Sequence, residues 1–340
     1  MKAYIDNIEY FVPKNRLSNE DLSKINPDWD VEKIVEKTGI SNRFIVDKNQ
    51  TATDLAISAA NKLLGKNPEL KYLIDYVILC TQSSDYYLPT SACIIQERLG
   101  LKQSIGAIDV NQGCSGFVYS LGLAKGLIET KQATHVLVIT SDTYSKYINV
   151  QDKSVRTLFG DAAACTLIKG LDSDKELITR PIYGTNGKGA EHLIVPDGGS
   201  RNPISEISFI EKQDDSNNIR SSANLFMNGR EIFTFTLSAV PRVFKEILEK
   251  ENATLDDIDI VVLHQANKFI IDSIQKKLKI PEDKMHRSYG EFGNTVSSTI
   301  PIGLKQELMK PRKNTRSRTA LLLGFGVGLS WAGNIVNFNA

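Results

Sequence analysis

Four absences narrow what this chain does. Nowhere in its 340 residues is there an unbroken apolar run of the roughly 18 to 20 residues that a membrane span requires, so no membrane association is expected. The opening stretch, MKAYIDNIEY, carries acids where a secretory leader carries basic and then apolar residues, which makes the cytoplasm the expected location. The cysteines Cys80, Cys93, Cys114 and Cys165 form no Cys-x-x-Cys pair, so neither a zinc cage nor a disulfide framework is expected, and a reducing compartment suits them. The formal net charge is only +1, which argues against nucleic acid as the main partner.

What is present is enough apolar residue, 41% of the chain, to bury one large core or two medium ones, and an internal repeat that organises it. The stretch IDYVILC at 74–80 has a counterpart in IDIVVLH at 258–264, and HVLVITSD, starting at His135, has one in TALLLGFG, starting at Thr319. Both pairs keep one offset, 184 positions (258 less 74, 319 less 135). Helical patterns, PTSACIIQERLGL and NKFIIDSIQKKLKI, follow the first strand of each half. Continuously apolar strands alternating with helices indicate parallel strands buried on both faces, hence an α/β fold of two similar halves, 1–170 and 171–340. The bland alternative is that all strand-helix-strand units look alike and the shared offset is coincidence. Residues 198–226 are polar and irregular and read as a long surface excursion in the second half.

Residues able to do chemistry stand where these patterns break. In DVNQGCSGF, Cys114 follows a strand and precedes a small-residue helix, where unpaired N–H groups and the helix dipole favour an anion and are expected to lower the thiol pKa. A nucleophile and a small buried cysteine packing the helix start are both compatible with that stretch. His264 ends IVVL and is followed by polar residues with no Gly or Pro to mark a turn, which favours a functional side chain over a satisfied core histidine. Asn294, between Gly293 and Thr295, reads on its own more readily as a turn asparagine than as a functional side chain. His135, His192 and His286 are expected to be structural or solvated. GFGVGLSW at 324–331 lacks the spacing and following helix of a dinucleotide loop, and reads instead as a loop whose N–H groups line a cavity.

Taken in order, GCSGFVY (113–119), LFGDAAA (158–164), MNGREIF (227–233), HQAN (264–267), YGEFGNT (289–295) and GFGVGLSW make the sequence resemble the β-ketoacyl-acyl carrier protein synthase III family of the thiolase superfamily along essentially its whole length. The resemblance implies a thiolase fold of five layers, α-β-α-β-α, a homodimer, and a Cys-His-Asn site at the base of a tunnel. It assigns Cys114 to accept an acyl group from a thioester, the N–H groups of Cys114 and Val327 to hold the oxyanion, and His264 and Asn294 to donate to the malonyl thioester oxygen as carbon dioxide leaves. Acyl carrier protein and coenzyme A thioesters are then substrates and partners, and no cofactor or metal is tightly held.

Further positions follow from the same resemblance. Lys33 stands at the family's adenine-stacking tryptophan, and Lys37 and Lys153 stand at arginines. Lysine neutralises phosphate but lacks the planar stack and fork. Asn267 and Lys268 fall in the carrier-binding region, with Phe269 at a position that is often basic. Leu88 lies in the segment SSDYYLPTSACIIQ, which closes the partner subunit's pocket, and with Phe325 it is assigned to the acyl pocket. These departures suit a specialised acyl primer. Two rival functions remain at this stage: transfer of the cysteine-bound acyl group to an oxygen or nitrogen nucleophile, and a non-catalytic partner subunit.

Overall fold

The computed structural model describes residues 1–310 and 318–338, so the second expected half, 171–340, includes positions outside the described residues. Two sheets carry the architecture. The first contains β1 (Lys2–Phe11), β2 (Tyr76–Cys80), β3 (Gly106–Val110), β4 (His135–Asp142) and β5 (Ala162–Leu171), in the order β1-β5-β4-β2-β3. The second contains β6 (Ile182–Thr185), β7 (Ile260–Leu263), β8 (Arg318–Gly326) and β9 (Ser330–Phe338), in the order β7-β8-β9-β6.

The offset seen in the sequence is a register in the structure. Tyr76 of β2 pairs in parallel with Val136 of β4, and Ile260 of β7 pairs in parallel with Ala320 of β8. Both partners move by 184 positions (260 less 76, 320 less 136), so the two central ladders share one pairing register. Each central pair is flanked by antiparallel strands on one side, β5 then β1 in the first sheet and β9 then β6 in the second. On the other side the copies diverge. Where β3 pairs with β2, the second sheet has, among the described residues, only an isolated parallel bridge from Val261 to Met285.

Helices fill the remaining layers. One outer face of the first sheet is covered by α1 (Ala52–Leu64) and α2 (Ser91–Leu99), whose Leu, Ile and Ala residues share a core with Val77, Leu79, Leu137 and Ile139. The start of α1 is fixed by a reciprocal cap: the Asp54 N–H donates to Thr51 Oγ1 and the Thr51 N–H donates to the Asp54 carboxylate. Between the sheets lie α3 (Gly116–Glu129) and α6 (Thr299–Met309), sharing a core with Ile78 and Val138 of one sheet and Val262 and Leu322 of the other. The outer face of the second sheet is covered by α4 (Gly229–Lys250) and α5 (Lys268–Leu278). The order is therefore helix, sheet, helix, sheet, helix. The alternation of strand parity explains it: residues such as Ile78 face the central helices while Val77 and Leu79 face the outer ones, so both faces must be apolar. The segment 198–226 holds only short pieces, a turn of helix at Glu206–Phe209 and two-residue strands, and exposes Ile207 and Phe209.

Candidate active site

The helix start at Cys114 is built by contact with β8. Gly324 and Gly326 alternate on the face that meets it: a Cβ on Gly324 would lie 2.6 Å from the Cys114 carbonyl oxygen, and one on Gly326 would lie 2.7 Å from Cys114 Sγ. Only hydrogen side chains permit this approach, which is what the spaced glycines of GFGVGLSW achieve. Beyond β8 the chain turns, and the N–H groups of Val327 and of Cys114 itself are both directed at the sulfur. Ser115 does not cap α3 with its side chain, because its hydroxyl is engaged with the hydroxyl of Ser330 at 2.7 Å, tying the helix start to β9.

The expected lowering of the thiol pKa is not what the structure gives. Cys114 is 3% exposed, and burial pushes the thiol up to about 12, with the nearby Asp142 carboxylate adding to the rise. The two N–H groups oppose that shift without overcoming it. The resting sulfur is thus a protonated thiol, and the helix start serves to place it rather than to ionise it.

His264 arrives from the other half. Its N–H donates to the Leu323 carbonyl at 2.9 Å, extending the β7–β8 ladder one residue beyond β7, so the histidine emerges beside the glycines that touch Cys114. The ring stands edge-on to Phe325, 5.5 Å between centroids, and Nδ1 lies 2.8 Å from the Thr299 hydroxyl. Burial drives its pKa down to about 3, so the imidazole is neutral and carries one proton. Phe325, assigned to the acyl pocket, is 2% exposed and is one wall of the histidine's niche.

Asn294 sits in a loop that the first half grips. Its N–H donates to the Leu158 carbonyl at 2.8 Å, and its carbonyl accepts from the Gly160 N–H at 3.0 Å. Gly293, at φ 67°, is required there, since a side chain would be strained by the backbone and would meet the Leu158 carbonyl at 2.7 Å. The Asn294 side-chain oxygen accepts from the Val296 N–H at 3.0 Å, which turns the amide NH2 outward with no hydrogen-bond partner among the described residues. Val296, a β-branched residue at φ 54°, is held in a conformation that costs about 1 to 3 kcal/mol. Its strained carbonyl lies 3.1 Å from Thr299 Oγ1, so Asn294, Val296, Thr299 and His264 form one hydrogen-bonded chain. Cys114, Val296, Phe325, Leu263 and Phe159 share a single apolar cluster.

Asp142, at the end of β4, was not singled out by the sequence. It is fully buried, accepts the Gln82 N–H at 2.8 Å and the Ser297 N–H at 3.3 Å, and takes the Ser297 hydroxyl as well. Burial raises its carboxyl to about 7 against those hydrogen bonds. It fastens the Asn294 loop to the first sheet.

The remaining expected positions lie elsewhere. Leu88 is 82% exposed and does not reach the cavity of its own chain. Lys33 is exposed and paired with Asp30 at 3.3 Å, and the Lys153 ammonium stands 5.9 Å from the centre of the Trp29 ring. Lys37 and Lys268 line one cavity of about 350 Å³ together with Phe269, Asp272 and Lys276, Lys268 being paired with Asp272 at 2.9 Å. Asn267 caps α5, its side-chain oxygen accepting the Ile270 N–H at 3.0 Å. Of the other histidines, His286 is buried against Glu307 at 2.6 Å, His135 meets Thr134 at 3.0 Å, and His192 lines a surface cavity of about 330 Å³.

Residues 108–187 match the family described as 3-oxoacyl-[acyl-carrier-protein (ACP)] synthase III, and residues 248–338 match its C-terminal part. The chain is 34% identical over 329 residues to the β-ketoacyl-[acyl-carrier-protein] synthase III of Caldanaerobacter subterraneus subsp. tengcongensis, covering 97% of this chain and 96% of that one. Among solved structures it is similar to a 3-oxoacyl-(acyl-carrier-protein) synthase III with TM-score 0.95 and 47% identity, covering 99% of this chain and 100% of that chain. It is also similar to the 3-oxoacyl-(acyl-carrier protein) synthase of Burkholderia xenovorans LB400, with TM-score 0.90 and 34% identity over 100% of this chain and 95% of the other.

Proposed function

Since the chain belongs to the 3-oxoacyl-[acyl-carrier-protein] synthase III family, we propose that it joins an acyl primer to malonyl-acyl carrier protein by decarboxylative condensation, with Cys114, His264 and Asn294 as the reacting set. The observation that carries this reading is the convergence on β8: its glycines press on Cys114, its Leu323 carbonyl anchors His264, and the N–H that follows it points at the sulfur.

In the first half-reaction Cys114 attacks the acyl thioester. The carbonyl oxygen gains charge between the N–H groups of Cys114 and Val327, and the incoming thiol proton leaves on the departing thiol. Thiol enters and thiol leaves, so no net proton is exchanged, and a thiol with a raised pKa is compatible with the step. In the second half-reaction malonyl-carrier loses carbon dioxide, and the enolate oxygen is held by His264 Nε2–H and the Asn294 amide. The carbanion attacks the acyl-cysteine carbonyl, the sulfur is expelled as thiolate, and it recovers one proton from water. Neutral donors suit this step: a histidine held near pKa 3 and an amide keep their roles across the physiological pH range.

The finer assignments are part of the same proposal. Acyl-coenzyme A or an acyl-carrier supplies the primer, and no cofactor is tightly held. The face containing Lys37 and Lys268 suits an acidic carrier, with Lys33 and Lys153 nearer the phosphates and Asn267 shaping the start of α5. A cytoplasmic homodimer accounts for the exposed run Tyr86, Tyr87 and Leu88, with Leu88 acting on the partner's acyl pocket and an unusual primer as its consequence. Neither nucleic acid nor a membrane has a part in it.

The test is carbon dioxide release from carboxyl-labelled malonyl-carrier by enzyme loaded with an acyl group. Release coupled to 3-oxoacyl-carrier formation supports the reading. Acyl transfer to an oxygen or nitrogen acceptor without carbon dioxide would replace it.

A further inference from the structure

The neutral His264 ring carries its single proton on either Nδ1 or Nε2, and the partner of Nδ1 decides which. Two oxygens act on the ring. The Val296 carbonyl, which favours a protonated ring and lies 3.1 Å from the Thr299 hydroxyl oxygen that meets Nδ1, only accepts. The Thr299 hydroxyl, 2.8 Å away, both donates and accepts. Left to the carbonyl alone, the proton would sit on Nδ1 and Nε2 would present a lone pair to the substrate. A lone pair repels an enolate oxygen.

We propose that Thr299 is a positioning residue for condensation: its hydroxyl proton, turned from the Val296 carbonyl to His264 Nδ1, places the ring proton on Nε2, where it is donated to the thioester oxygen. The two geometries differ only by rotation of one O–H bond, since Thr299 Oγ1 lies 3.1 Å from the Val296 carbonyl and 2.8 Å from Nδ1. Three features hold the hydroxyl in place. Thr299 is the first residue of α6 and is 2% exposed, its β-branch restricts χ1, and Ser298 beside it is fixed by its hydroxyl contact with Thr140 at 2.9 Å. Among the described residues, the Thr299 hydroxyl is the only side chain hydrogen-bonded to Nδ1. The inference rests on the reading of His264 as the thioester donor.

Thr299→Val keeps the shape and removes the hydroxyl, leaving the Val296 carbonyl to hold the proton on Nδ1. Histidines left in the wrong tautomer have cost about 10⁴-fold in kcat elsewhere, and loss of one oxyanion donor about 10²- to 10³-fold. Decarboxylation of malonyl-carrier by acyl-loaded Thr299→Val should therefore fall by at least about 10²-fold. The rate at which acyl-coenzyme A loads Cys114 should stay within about threefold, and Thr299→Ser should restore decarboxylation. Nitrogen-15 NMR of the labelled histidine ring, with a non-decarboxylating malonyl thioester analogue bound, should show Nε2–H in the wild type and Nδ1–H in Thr299→Val. Should the valine variant fold poorly, Thr299→Ala carries the same expectations, and the wild-type tautomer stands as a test by itself. Nδ1–H in the wild-type complex, equal losses of loading and decarboxylation, or a serine variant as impaired as valine would each overturn the inference. A wild-type enzyme that decarboxylates while Thr299→Val matches it would overturn this inference alone; a wild type that releases no carbon dioxide would overturn the functional reading with it.

Discussion

Gly326→Ala places a methyl carbon where the structure has no room. The added Cβ would lie 2.7 Å from Cys114 Sγ and 2.8 Å from Cys114 Cβ, whereas unstrained contacts between such atoms are about 3.5 to 4 Å. The sulfur, at the end of a short side chain, yields before the β8 backbone does, by roughly 1 Å. A displacement of that size at a reacting atom is associated with about a 100-fold loss, or about 2.7 kcal/mol of transition-state stabilisation. The assay is the single-turnover rate of acyl transfer from acyl-coenzyme A, read by quenched intact-mass spectrometry, with the melting temperature measured alongside. Overpacking costs about 1 to 3 kcal/mol of stability, so a folded variant with a modestly lowered melting temperature is expected. Gly126→Ala is the matched control, because it lies on the same helix as the Cys114 turn and its Cβ would meet nothing within 4 Å. It should raise stability by about 0.5 to 1 kcal/mol and leave acylation unchanged. Wild-type acylation by Gly326→Ala would refute the claim that β8 positions the sulfur.

Three further outcomes are expected. Asn294→Ala should reduce malonyl-carrier decarboxylation by about 10²- to 10³-fold while Cys114 still acquires its acyl group, a split visible by comparing labelled carbon dioxide release with intact mass. The pH dependence of stability should be unmasked by Asp142→Asn. His264, lowered to about 3 in the fold, makes stability rise with pH from there to its unfolded value, because the unfolded chain binds the extra proton in that window. Asp142, raised to about 7, makes stability fall with pH across an overlapping window, because the native state binds the extra proton. The two oppose each other, so Asp142→Asn should give a melting temperature that climbs more steeply than wild type between about pH 4 and 6.5, and parallel profiles would contradict the buried proton. Finally, Lys268→Glu should raise KM for malonyl-carrier several-fold with kcat little changed, most clearly at low ionic strength. An unchanged KM would move the carrier's landing place off this face.

The central strands were legible because burial on both faces forces unbroken apolar strings, and the two strings keep the register that the ladders use. Cys114 and His264 stood out because each breaks a pattern, glycine around the cysteine and polarity straight after a buried strand, whereas Asn294 by itself looked like a turn asparagine and was assigned a role only through the family resemblance. The ionisation of Cys114 was misjudged because sequence shows a helix start but not how much protein covers it, and here desolvation outweighs the N–H groups. Thr299, Val296 and Asp142 left no mark. Small polar residues in TVSST look like any helix entry, and the strain at Val296 is a backbone angle with no letter of its own. The parallel bridge from Val261 to Met285 also left no mark, since one paired residue makes no apolar string.

The most direct measurement is a chase of isolated acyl-enzyme. Enzyme loaded with an acyl group, freed of donor and mixed with malonyl-carrier should lose the added mass from the Cys114 peptide. In the same turnover it should yield one carbon dioxide and one 3-oxoacyl-carrier per site. An adduct found on the exposed Cys93, or an adduct on Cys114 that persists while carbon dioxide is released, would contradict the convergence of cysteine, histidine and asparagine on one reaction.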